Sequence, residues 1–281
     1  MGRSKITEKD IQRYIRDLEE GGYARGSIEK YVRDVRAFWA WAGAEAVTKG
    51  ALLRWRAHLE AAGRQPKTIN SMLAALNCFF RTKGRGDLRL KYLKVQRKLF
   101  RSRERELTRA EYARLVETAE RQEKPRLSLL METICATGIR VGEVRYITVE
   151  AVRAGQADIH LKGKVRTILL PGKLCRKLRR YAREREIASG EIFRTRRGKG
   201  LSRRQIWAEM KALCEAAEVA PSKVFPHNLR HLFARTFYRV YKDVARLADL
   251  LGHSSIETTR IYLISTGAEH ARQIERLGLV S

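Results

Sequence analysis

Acidic residues are the scarce class in this chain. Only 31 Asp+Glu stand against 59 Lys+Arg, a formal net charge of +28 at pH 7. A deficit on this scale points to a polyanionic partner, because protein cations displace the counterions condensed on phosphate. Long apolar runs are missing as well. No segment approaches the ~18 consecutive apolar residues of a membrane span. The opening Met1-Gly2-Arg3-Ser4-Lys5 leads into a polar helix rather than an apolar leader. Nor does any uniformly basic amphipathic helix stand out that would lie on an anionic bilayer. The four cysteines, Cys78, Cys135, Cys175 and Cys214, form no CxxC pair, which disfavours both a zinc site and a disulfide framework. Cys78 beside Phe79-Phe80 and Cys135 beside Ile134 read as buried free thiols, suited to a reducing cytoplasm.

What is present suffices for two domains: 281 residues, 44% of them hydrophobic. Residues 1–97 read as wholly helical. Thr7 is an N-cap with Glu8 and Asp10 in the first turn, and Gly21-Gly22 closes that helix. A second helix is expected from about Ser27 and a third from Thr48. A fourth follows Pro66, and Lys83-Gly84-Arg85-Gly86 stops it. Tyr31, Phe38, Trp39 and Phe80 fall on apolar faces and read as core rather than as a base-stacking platform. Arg25, Arg33, Arg36, Lys67 and Arg81 are the candidate phosphate contacts of this half.

Residues 98–106 read as a basic linker. Thr108 and Glu111 then make a capping box opening residues 107–281. An apolar helix over 126–137 ends at Gly138, which places Arg140 in the interior, with Glu143 three residues on to receive its guanidinium. Residues 157–161 and 165–170 are β-rich around Lys162-Gly163-Lys164, a hairpin with a lysine-bearing turn. A basic helix is expected over 174–187, and Ser202 caps another.

The chemistry-bearing stretch runs from Phe225 to Tyr262. Pro226 opens a helix on which His227 and Arg230 share a face, and His231 and Arg235 make a second such pair. Gly252 ends an apolar segment. His253 stands just before a helix that Ser254 and Glu257 would cap. Tyr262 lies nine residues beyond His253. On one unbroken helix the two would face opposite ways, so their convergence needs a break before Tyr262, or a Tyr262 that swings in on its own segment.

These motifs, in this order, resemble the tyrosine recombinases, the phage integrase and Xer-like family. Ala136-Thr137-Gly138-Ile139-Arg140-Val141-Gly142-Glu143 is similar to its first arginine box, and Leu161-Lys162-Gly163-Lys164 to its lysine turn. Pro226-His227-Asn228-Leu229-Arg230-His231 is similar to its H-x-L-R-H box. Leu251-Gly252-His253-Ser254 and Thr258-Thr259-Arg260-Ile261-Tyr262 are similar to its closing box. The resemblance implies a mainly α protein with a small antiparallel sheet: a helical N-terminal core-binding domain and a mixed α/β catalytic domain, closing as a C-shaped clamp on DNA. It implies attack by Tyr262 on the scissile phosphorus, giving a 3′-phosphotyrosyl bond without cofactor or metal. Arg140 and Arg230 would hold the non-bridging oxygens, Lys162 would protonate the 5′-oxygen, His227 would take the tyrosine proton and His253 would bind the phosphate, with Glu143 and His231 in support. The hairpin turn is short, so Lys164 competes with Lys162; the lysine preceding glycine is favoured. The tail, with Ala271, Ile274, Leu277 and Leu279 at near-helical spacing, would dock in a neighbouring subunit. The expected partners are double-stranded DNA bearing the recombination site, a homo-tetramer across two sites, and an accessory or directionality protein; no membrane is involved. Two other readings share the pattern: a DNA-binding protein of this fold without catalysis, and a type IB topoisomerase. A covalent adduct lost in Tyr262→Phe separates the first from an enzyme, and site-independent relaxation of supercoils would mark the second.

Overall fold

The computed structural model describes residues 5–43, 45–95, 105–161, 164–253, 255–260 and 275–277. The chain divides into two compact units, Met1–Arg97 and Lys98–Ser281, each with its own apolar core.

The first unit holds α1 (Glu8–Glu20), α2 (Arg25–Ala42), α3 (Lys49–Ala61) and α4 (Pro66–Thr82). Thr7 caps α1 in a box with Asp10, Thr48 caps α3, and Pro66 occupies the first turn of α4, where its missing N–H has no helical partner to lose. The second helix starts two residues before the expected Ser27, with Ala24 at its cap. Phe38 and Phe80 are fully buried, whereas Tyr31 and Trp39 pack half-buried at the core's edge. Tyr14 ties α1 to α4 by donating its hydroxyl to the Ala75 carbonyl at 3.2 Å. Two asparagines of α4 grip the following segment as a strand would. Asn77 exchanges two hydrogen bonds with the backbone of Leu90, and Asn70 two with that of Leu93.

The second unit is built on α6 (Pro125–Thr137), whose Leu130, Met131 and Ile134 are wholly buried. Around it lie α5 (Arg109–Arg121), α7 (Val149–Ala154), α8 (Gly172–Glu184), α9 (Arg203–Lys211) and α10 (Pro226–Tyr241). The short α11 (Val244–Leu251) and α12 (Ile256–Arg260) follow. The expected box of Thr108 and Glu111 caps α5. The helix expected over 174–187 begins at Gly172 and ends at Glu184, since Arg185 and Glu186 already turn the chain and Glu186 has φ 52°.

The strands β1 (Gln156–Leu161) and β2 (Lys164–Leu169) pair antiparallel, in a register that sets Ile159 opposite Arg166. Side chains alternate across a strand, so Arg166, Ile168 and Leu170 turn to the same, interior side, while Val165 and Leu169 stay exposed. This alternation turns a guanidinium toward the second unit's interior. Among the described residues no helix is long and apolar enough to cross a membrane.

Candidate active site

The site forms where two helices end. Gly138 closes α6 in the left-handed conformation, φ 66°, and Gly252 closes α11 at φ 61°. Both ends leave backbone carbonyls without helical partners, and the negative end of a helix dipole favours cations there. Guanidinium groups take these carbonyls. Arg230 is only 2% exposed; it donates to the Gly138 carbonyl and, at 2.8 Å, to that of Leu251. Arg140 donates to the Gly252 carbonyl at 3.2 Å.

Arg140 stands two residues past the αL cap Gly138, and its side chain reaches across to the end of α11. Its side chain is 45% exposed. The interior position expected for it is therefore corrected: the turn at Val141–Tyr146 carries it out to the surface, with one edge of the guanidinium anchored and the other facing solvent. Glu143 provides the anchor. It is 2% exposed, accepts from Arg140 Nη1 at 2.9 Å and from the Arg140 backbone N–H at 2.7 Å, and accepts from Arg166 Nη2 at 3.0 Å. One buried carboxylate thus orients two guanidiniums, as buried charges require partners.

His253 sits between these groups. Arg230 Nη2 lies 2.8 Å from its Nε2, and Thr259 Oγ1 lies 2.7 Å from its Nδ1. An arginine can only donate, so Nε2 carries the lone pair and Nδ1 the proton, which it gives to the fully buried Thr259. Burial pushes the imidazole down to about 4, and the cations of Arg230, Arg140 and Arg166 push the same way, as does His227. His227 is exposed and packs edge-on against the buried His231, with ring centroids 4.6 Å apart.

The structure thus brings Arg140, Glu143, Arg230 and His253 into one hydrogen-bonded cluster, with His227 and His231 alongside. Lys162 and Tyr262 lie outside the described residues. So does Ser254, which with Glu257 was expected to make a capping box; the Glu257 N–H donates to Ser255 Oγ at 3.2 Å. Arg25, Arg33, Arg36, Lys67 and Arg81 are all exposed on α2 and α4 of the first unit. Arg25 pairs with Glu29, Arg33 with the buried Asp34 and Arg36 with Glu8. Arg166 and Thr259 were missed by sequence reasoning. The alternation of Arg166 with Ile168 and Leu170 was the available signal for the first; the second stands inside the closing box, but nothing local gives its side chain a role.

Guanidiniums fixed on helix-end carbonyls beside a neutral imidazole have the charge and the donors to hold the oxygens of a phosphate. Fold and site together fit a DNA-acting domain of the tyrosine-recombinase class. Residues 105–269 match the Phage integrase family, and residues 11–85 match the phage integrase N-terminal SAM-like domain. The Tyrosine recombinase XerA of Thermococcus kodakarensis is 32% identical over 276 residues, covering 95% of this chain and 93% of that protein. Among solved structures, XerH site-specific recombinase bound to difH substrate superposes with TM-score 0.67 at 18% identity, over 96% of this chain and 85% of that one. A lambda integrase tetramer bound to a Holliday junction does so with TM-score 0.71 at 19% identity, over 91% and 76%. The chain belongs to the phage integrase family and is a tyrosine recombinase, an enzyme that breaks and rejoins DNA.

Proposed function

We propose that the chain recombines DNA at a specific site, Tyr262 attacking the scissile phosphorus to leave a 3′-phosphotyrosyl bond and a free 5′-hydroxyl. The covalent bond conserves the phosphodiester's energy, so the strand can be resealed by the reverse reaction. One observation carries the reading: Arg140, Arg230 and His253 meet at the C-terminal turn of α11, with Arg140 held by Glu143. The half-exposed Arg140 offers its outer edge to a non-bridging oxygen. Arrival of the phosphate draws Arg230 from Nε2 of His253 onto the anion. The phosphate's negative charge raises the basicity of the imidazole, Nε2 takes up a proton, and it then donates to the phosphate. His227, exposed at the start of α10, accepts the phenolic proton of Tyr262. Lys162, or Lys164, protonates the departing 5′-oxygen.

In this reading the first unit grips the duplex through Arg25, Arg33, Arg36, Lys67 and Arg81, residues 98–106 link the two units, and the segment beyond Tyr262 docks in a neighbouring subunit of a tetramer joining two sites. The test uses a nicked suicide duplex carrying the sequence that the protein selects from a random duplex pool. A denaturing gel should show a covalent protein–DNA adduct for the wild type and none for Tyr262→Phe, with DNA binding retained. An adduct that persists in Tyr262→Phe refutes the proposal.

A further inference from the structure

Arg166 belongs to none of the motifs that point to the reaction, yet it occupies the middle of the site. It lies on β2 facing inward, in line with Ile168 and Leu170, where a residue serving packing alone would be apolar. Its side chain is 14% exposed. Nη2 donates to Glu143 Oε2 at 3.0 Å, and Nη1 donates to the Leu251 carbonyl, which also receives Arg230. Its Nε finds no partner among the described residues. Burial pulls the guanidinium down to about 10, so it is still cationic at neutral pH. A second buried cation beside Arg230, close to the half-exposed Arg140, is electrostatically unfavourable, and Glu143 is the carboxylate that offsets it.

Its two contacts show what it orders. Glu143 is the residue that aims Arg140, and Leu251-Gly252 is the turn that presents His253. Gly252 is moulded to it: a Cβ added there would run into Arg166 Cδ and come within 2.5 Å of Nη1. Both terminal nitrogens are committed to protein acceptors, so neither can reach a phosphate without breaking the bridge.

Resting on the strand-cleavage reading above, we infer that Arg166 is a positioning residue of that reaction, spanning Glu143 and the Leu251 carbonyl so that Arg140 and His253 share one geometry. It acts on the rate of cleavage and not on the grip on DNA.

The experiment compares the full-length wild type with Arg166→Gln, Arg166→Lys and Gly252→Ala on the selected suicide duplex. Dissociation constants come from fluorescence anisotropy and single-turnover adduct rates from saturating DNA, well below each variant's melting midpoint. A displacement of about 1 Å can cost roughly 100-fold in rate, and that is the loss expected for Arg166→Gln, with affinity changed by less than about threefold. Lysine keeps the charge but is a point donor that cannot span two acceptors, so Arg166→Lys should recover less than about a tenth of the lost rate. Gly252→Ala should slow cleavage in the same way without weakening binding. If Arg166→Gln does not fold, the other two variants decide the matter. An adduct rate within about threefold of wild type for the folded variants overturns the inference, as does a loss accounted for by affinity alone, which would mark a phosphate contact. If the wild type itself forms no adduct, the cleavage reading fails and the inference falls with it.

Discussion

Replacing Glu143 by glutamine tests the electrostatic frame of the site most directly. The substitution keeps shape and removes one negative charge from a pocket 2% exposed, where the carboxylate faces Arg140 and Arg166. The Arg140 contact is discounted, because that side chain is 45% exposed and water screens it. The Arg166 contact is not, since that side chain is 14% exposed. Breaking a buried ion pair by removing one partner costs about 3–5 kcal/mol. The glutamine oxygen can still accept one of the hydrogen bonds, which returns roughly 1 kcal/mol. The net expectation is a loss of about 3 kcal/mol, and in a domain of this size each kcal/mol lowers Tm by roughly 2–4 °C. A fall of about 10 °C should therefore appear in calorimetry of the full chain at low salt. A Tm within about 2 °C of wild type would show that Glu143 does not hold the two guanidiniums, and the frame described for Arg140 and Arg166 would be wrong.

Other outcomes follow from the same geometry. Gly138→Ala must adopt φ 66° and set a Cβ 2.5 Å from Phe233 Cδ1 and 3.0 Å from Leu251 Cδ2. It should lose about 2–4 kcal/mol in urea unfolding, and an unchanged midpoint would contradict the cap. The His253 ring, pushed down to about 4 from an ordinary 6.5, should show no NMR titration between pH 7 and pH 5 without DNA. Its folded-state basicity lies below the unfolded one, so the unfolded chain binds the extra proton. Stability should therefore fall as pH drops from about 6.5 toward 4, and a rise over that window would reverse the assignment. Thr259→Val removes the oxygen that accepts from Nδ1–H of His253, while Arg230 still holds the lone pair on Nε2. The Nδ1 proton should lose its hydrogen-bonded downfield shift and exchange faster with water while DNA affinity is retained; an unchanged spectrum would exclude the hydrogen bond.

Sequence by itself determined the local architecture. Caps at Thr7, Thr48, Thr108 and Ser202, proline at the first turns of α4 and α10, and glycine at the ends of α6 and α11 each act within a few residues, so the helices are legible one at a time. The hairpin was readable from two β-rich runs around Lys162-Gly163-Lys164, and the order of the motifs pointed to Arg140, His227, Arg230 and His253 as one group. What only the tertiary structure decided is how the charges are shared. Arg166 and Glu143 stand 23 residues apart, and Arg140 and Gly252 are separated by 112. Such pairings depend on where two helix ends come to rest, and no local pattern encodes that. Arg140 was misplaced for this reason: Gly138 and Ile139 just before it are buried, but the 3₁₀ turn after the α6 cap carries it outward. Periodicity specifies which face of an element is buried; which cation then finds which carbonyl is specified only when the elements pack.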